Sequence, residues 1–235
     1  SSDGTVPNAP HSCSFRNVVL GVPDSKVIED TGGIFFGMMN VDYARPSLLG
    51  QLGYSSFVLD YVTETMLLSR KTMLDSTDSL AVPMYDLSPY GPNLHHYACR
   101  CDQVVLRCSR TGKTLPVTNL QREVVLVVDT GLSGCVLSSS WKEDLPIPVD
   151  DIEQMQVQLS NGQFLRSQQD YWFPSCFRLP WFTDDSNHPH IIALGATFLV
   201  GRTIQVDTTT RLIKIGELQK SKHEASPQER SKAVT

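Results

Sequence analysis

The chain has 235 residues, with 20 Lys and Arg against 25 Asp and Glu, for a formal net charge of −5. Its apolar fraction of 40% and charged fraction of 19% are those of an ordinary globular protein able to close a sizeable core. Basic residues do not cluster, which argues against nucleic acid as a partner, and no apolar run is long enough to span a membrane. In chain order, residues 1–14 are polar and turn-rich, with Pro7 and Pro10, and are expected to be a flexible segment. They lack an apolar signal segment, so either a signal has been removed or the chain is a piece of something longer. Residues 18–22 and 33–37 read as short buried strands. Residues 46–53 read as a short helix, with Pro46 suited to its first turn and Gly53 to its C-terminal cap. Residues 56–62 return as a strand, whereas 69–93 are dense in Ser, Asp, Pro and Gly and read as long surface loops.

Residues 97–107 resume strand-like alternation, 109–113 make a turn, and 115–117 begin the next segment. The run Val124–Val128 is wholly apolar and rich in β-branched residues, the pattern of a central strand buried on both faces. Residues 138–145 start a short helix with a serine cap. Residues 155–159 and 163–165 flank Asn161-Gly162, a strong hairpin signal. Three strands close the chain at 191–194, Thr203–Asp207 and Leu212–Ile215, and the tail from Gln219 is charged and polar, as disordered tails are. Asp184, Asp185, His188 and His190 fall in a polar stretch that reads as solvated loop. Tyr97, Trp172 and Trp181 read as core or rim packing. Short strands separated by turns, with few helices, make this a mostly β protein.

The six cysteines are Cys13, Cys99, Cys101, Cys108, Cys135 and Cys176; an even count permits disulfides but does not fix their pairing. Cys99, Cys101 and Cys108 lack the paired spacings of a zinc site, and His95 and His96 are adjacent rather than spaced as ligands. In a strand, Cys99 and Cys101 share one face with Arg100 opposite. Disulfides or buried thiols are therefore expected, with no metal and no cofactor.

Asp129-Thr130-Gly131 follows five apolar residues. A carboxylate at the end of a buried strand is costly unless it is used or satisfied. Gly131 lets the chain turn sharply and lets backbone amides reach the carboxylate, and the hydroxyls of Thr130 and Ser133 can add hydrogen bonds. Such a group suits a hydrolase that activates water between two carboxylates sharing one proton. The tripeptide alone is also compatible with an ordinary Asx-type turn. A second copy, Asp30-Thr31-Gly32, follows a poor strand and reads as a loop turn.

The downstream context separates the two. Ile191-Ile192-Ala193-Leu194-Gly195-Ala196-Thr197-Phe198-Leu199, then Gln205-Val206-Asp207-Thr208, then Arg211 to Gly216, resemble the closing segment of pepsin-like aspartic peptidases. The resemblance implies a mostly β, pepsin-like acid-protease fold, with Asp129 as a catalytic carboxylate, Thr130, Gly131 and Ser133 supporting its turn, and Leu194 and Gly195 on a strand crossing behind it. It makes Asp207 a structural position. More faintly, residues 33–37, 46–52 and 56–59 resemble the second half of an N-terminal lobe, closest to nepenthesin-like and xylanase-inhibitor-like members. The implied division is a partial N-terminal lobe over 15–95, a complete C-terminal lobe over 96–218 and a tail over 219–235. The chain departs from the pattern in lacking, before residue 33, a first catalytic turn and flap tyrosine. Leu132 stands where the family has a small hydroxyl residue, Cys135 lies unusually near the turn, and Met38-Met39 replaces a glycine-bearing stretch.

The implied activity is aspartic endopeptidase action on peptide or protein substrates, with Asp129 as the one dyad member present. The alternatives are an inactive pseudo-peptidase serving as a binding or inhibitor module, and a homodimer placing Asp129 of each copy on a twofold axis. A complementing half-lobe or a second copy of the chain is the partner these readings call for, and sheet surface left exposed without it is expected to be apolar. By family, secretion or a vacuolar location is implied.

Overall fold

The computed structural model describes residues 48–90, 96–118, 120–132, 134–168, 174–176 and 188–219. The two expected strands before residue 38, the Asp30 turn, the tail, and Ser133, Trp172, Trp181, Asp184 and Asp185 lie outside them. The described chain is mostly β. Helix α1 (Leu48–Gln51) leads into β1 (Ser56–Asp60), β2 (Thr65–Ser69) and β3 (Ala81–Pro83); β4 (Ala98–Cys108), β5 (Thr114–Pro116), β6 (Val124–Val128) and β7 (Cys135–Leu137) precede helix α2 (Trp141–Asp144). Then come β8 (Ile152–Leu159), β9 (Phe164–Arg166), β10 (Pro174–Cys176), β11 (His190–Leu194), helix α3 (Ala196–Leu199), β12 (Thr203–Asp207) and β13 (Leu212–Ile215).

Two sheets result. One runs β2-β1-β12-β13-β3, so strands from either side of residue 95 share a single sheet. The other runs β10-β7-β11-β6-β4-β8-β9, with β5 added beside β4. In the second sheet β6 is flanked by β4 and β11 and buried on both faces. Val124 and Leu126 join the main core with Phe57, Ile204 and Trp141, while Val125 and Val127 join a smaller cluster with Leu87, Ala98 and Ala193. A continuous apolar run is what such a strand requires.

Several local expectations hold. Gly53 has φ +67° and ends α1: its N–H bonds to the Gly50 carbonyl and the Tyr54 N–H reaches back to that of Leu49, the paired bonds of a Schellman cap. Asn161-Gly162 closes the β8–β9 hairpin, with Gly162 at φ +86°. Cys99 and Cys101 are buried with Arg100 exposed between them, and both thiols are free, as are those of Cys108 and Cys135. Burial pushes the Cys99 and Cys101 thiols up to about 12, the value of inert structural groups.

Three expectations fail. Residues 69–93 are not simply surface loop: β3 lies among them, and Leu74, Val82 and Leu87 are buried. Ser140 does not cap α2 with its side chain; its backbone is already helical and its hydroxyl bonds elsewhere. His190 is not solvated loop but the first residue of β11, fully buried, and His188 is buried beside it. Tyr97 packs on Phe57 with ring centroids 5.4 Å apart, in keeping with the packing role read for it.

Candidate functional site

Asp129 is the residue at which β6 stops. Its own N–H donates to the Leu194 carbonyl at 3.0 Å, which prolongs the parallel β6–β11 ladder by one bond. β11 is itself threaded between β6, to which it is parallel, and β7, to which it is antiparallel. The chain thus leaves β6 at Asp129 and returns as β7 on the far side of β11. Leu194 and Gly195 lie directly beneath that turn.

The closeness is what demands glycine at 195. A Cβ there would sit 2.5 Å from the Leu132 carbonyl oxygen and closer still to that of Gly134. The Ala196 N–H donates to the same Leu132 carbonyl at 2.8 Å and pins the turn onto α3. Within the turn, the Gly131 N–H donates to Asp129 Oδ1 at 3.0 Å, and the Leu132 N–H to the Asp129 carbonyl at 3.3 Å. A Cβ on Gly131 would lie 3.2 Å from Oδ1, so glycine lets the amide approach.

The Asp129 side chain is half-buried, and this one amide is the hydrogen bond it accepts among the described residues. The Thr130 side chain is exposed, and no described residue takes its hydroxyl. No second carboxylate among the described residues contacts Asp129. Tyr61, just beyond β1, had no signal in the sequence, yet it shares this environment. Burial first, and the Asp129 charge second, hold its hydroxyl above the ordinary phenol value.

Asp207 lies well apart in role. It is fully buried at the end of β12, and its carboxylate accepts N–H bonds from Met73, Leu74, Thr209 and Thr210 at 2.6 to 3.3 Å. Burial alone would raise its pKa, but these amides and the Ser56 hydroxyl outweigh it and hold the carboxyl below the usual range. It ties the 69–75 segment to the sheet.

A hollow of about 130 Å³ lies elsewhere, on the outer face of β4, β8 and β9, lined by Val105, Arg107, Gln154, Gln156 and Arg166. Its cations are already used. Arg107 Nε is 3.1 Å from Glu153, and Arg166 donates Nε and Nη2 at 2.9 Å to the Gln156 amide oxygen once that amide is oriented to receive them. Among the described residues no group of three or more His, Cys, Asp or Glu side chains is arranged to hold a metal ion, and no helix is long and apolar enough to cross a membrane.

No protein-family model and no curated protein matches the chain. Among solved structures it is similar to basic 7S globulin from soybean, at 12% identity and a TM-score of 0.44, covering 79% of this chain and 57% of that one. It is also similar to an aspartic proteinase from Irpex lacteus, at 13% identity and a TM-score of 0.46, covering 77% and 64%. The chain therefore spans less than two thirds of the length of either.

Proposed function

We propose that this chain is an aspartic-type endopeptidase lobe in which Asp129 supplies one of two water-activating carboxylates. The observation that carries the reading is the Asp129 turn itself. It is clamped from beneath by Leu194 and Gly195, while its carboxylate keeps acceptor capacity after taking the Gly131 amide. A clamped group with spare lone pairs is preorganised to hold a water or a shared proton. In a dyad, one carboxylate takes a proton from water as it attacks the scissile carbonyl, and the protonated partner gives its proton to the carbonyl oxygen. The second carboxylate comes from outside the described residues: a complementing half-lobe, or Asp129 of a second copy of the chain.

A second reading follows from the turn's own sequence: Leu132 stands where the family has a small hydroxyl residue, which suits a pseudo-peptidase that keeps the fold and binds without turning over. An acid-pH assay on a denatured protein substrate, with a pepstatin-type inhibitor and Asp129→Ala alongside, separates the two. Inhibitor-sensitive cleavage that disappears in the variant supports the peptidase, and a steep dependence on chain concentration assigns the second carboxylate to another copy. A folded chain with no cleavage at any acid or neutral pH, alone or with a candidate complementing half-lobe, favours the binding module.

A further inference from the structure

The strand beneath Asp129 is held at its other end by a chain of polar side chains. His190 opens β11 with its ring fully buried. Nδ1 is 2.8 Å from Ser140 Oγ, Ser140 Oγ is 2.8 Å from Ser138 Oγ, and Ser138 Oγ accepts the Ile191 N–H at 3.0 Å. On the other side, Nε2 is 2.9 Å from Asp144 Oδ2. The ring stacks on Trp141, centroids 4.5 Å apart, and the Trp141 indole N–H donates to the Ile191 carbonyl at 3.0 Å.

The order Ser140–His190–Asp144 has the spacing of a nucleophile, base and orienting acid. Two facts argue against that use: the imidazole is fully buried, and the Ser140 hydroxyl is already engaged with Ser138. What the network can do instead is transmit a charge. With the ring neutral, the carboxylate beside Nε2 favours the proton there, although that N–H is not aligned for a hydrogen bond, and Nδ1 accepts from the Ser140 hydroxyl. A second proton on Nδ1 turns the Ser140 hydroxyl about to donate to Ser138, so the Ser138 oxygen is shared between Ser140 and the Ile191 amide while its own proton loses Ser140 as acceptor.

We infer that Ser138, Ser140, His190 and Asp144 form a proton-operated clasp, closed when His190 is neutral and loosened when it is charged, on the strand that backs the Asp129 turn. The charged and titratable groups around the ring are Asp144 on α2, Arg122 and Glu123 on the segment entering β6, and His188 with its ring against Tyr90 at the start of β11. Burial acts most strongly and, with Arg122, outweighs Asp144 to hold the imidazole below its ordinary value of 6.5. A depressed imidazole stabilises the fold fully above its unfolded value. That stabilisation is lost as pH falls from 6.5 through the folded value. The clasp therefore opens on the acid side. Its consequence for cleavage rests on the peptidase reading; the clasp itself does not.

An NMR titration of the whole chain tests it without any substrate. The His190 ring is followed from about pH 7.5 to about pH 4.5, together with hydrogen exchange at the Ile191 and Asp129 amides, corrected for intrinsic rate. The ring is expected to titrate below 6.5, and both amides to lose protection as pH falls from 6.5 to the ring's midpoint and to level off below it. In His190→Gln, which hydrogen-bonds but cannot charge in this range, protection stays flat. If that variant does not fold, Asp144→Asn is read instead, and its ring midpoint falls further because the opposing carboxylate is gone. A ring that never charges, amides indifferent to its titration, or an Asp144→Asn midpoint that does not fall would overturn the inference. Because exchange is read with no substrate, absent proteolysis leaves the clasp standing, and absent coupling leaves the peptidase reading untouched.

Discussion

Two aspartates close two strands of this molecule, and the sequence writes them almost alike: Val128-Asp129-Thr130 at the end of β6 and Val206-Asp207-Thr208 at the end of β12. The structure treats them oppositely. Asp207 is fully buried and takes four backbone N–H bonds, so its lone pairs are spent holding two segments together. Asp129 is half-buried and takes one. The difference teaches that a buried strand's end can use a carboxylate as mortar or leave it with capacity to spare, and that acceptor count, not tripeptide identity, separates the two. The backbone beneath them differs as well. Asp129 sits over a strand so close that residue 195 must be glycine, and that rigidity is what a positioned reactive group needs.

The comparison breaks most visibly at Asp207. Asp207→Ala should cost about 4 kcal/mol in urea unfolding, since it strands the Met73, Leu74, Thr209 and Thr210 amides at once. Gly195→Ala should cost roughly 3 kcal/mol, because the clash is with two backbone carbonyls that cannot step aside. Loss of exchange protection at the Asp129 amide would mark the damage as local to the turn. The pH dependence sharpens the contrast further. A carboxyl held low in the folded state adds stability above its unfolded value near 3.8, and that stability fades as pH drops through the lower folded value. Urea midpoints should fall below about pH 4 in the parent chain and show less of that fall in Asp207→Asn. Gly53→Ala, which forces a side chain into a left-handed cap with open space around it, should cost only about 1 kcal/mol in thermal unfolding.

Much of the scaffold around Asp129 was legible because it is written locally. A continuous apolar run announces β6, Asn161-Gly162 announces its hairpin, and Gly53 announces the end of α1. What escaped is written across distance. β2 carries Met66 and Leu67, 49% and 57% exposed, so no inside-outside alternation marks it as a strand. It ends the five-stranded sheet among the described residues. β3 is three residues ending in Pro83, and pairing with β13, far along the chain, defines it. His190 looked like loop because its neighbours are polar; Ser140 and Asp144, which bury it, lie some fifty positions earlier. At the site, the Asp129 turn and the Gly195 strand could be read from their motifs. The nearness of Tyr61 could not, since nothing in its own segment encodes it.

The central claim is that Asp129 is held for chemistry and Asp207 for structure. The most direct measurement pairs Asp129→Asn with Asp207→Asn in the fully assembled protein, reading acid-pH peptide cleavage and thermal unfolding on each. The account predicts that Asp129→Asn loses about a thousandfold in cleavage rate with its unfolding temperature nearly unchanged. Asp207→Asn should lower the unfolding temperature, while the fraction still folded cleaves at close to the parent rate. An Asp129→Asn chain that cleaves as fast as its parent, or that unfolds as readily as Asp207→Asn, would contradict it.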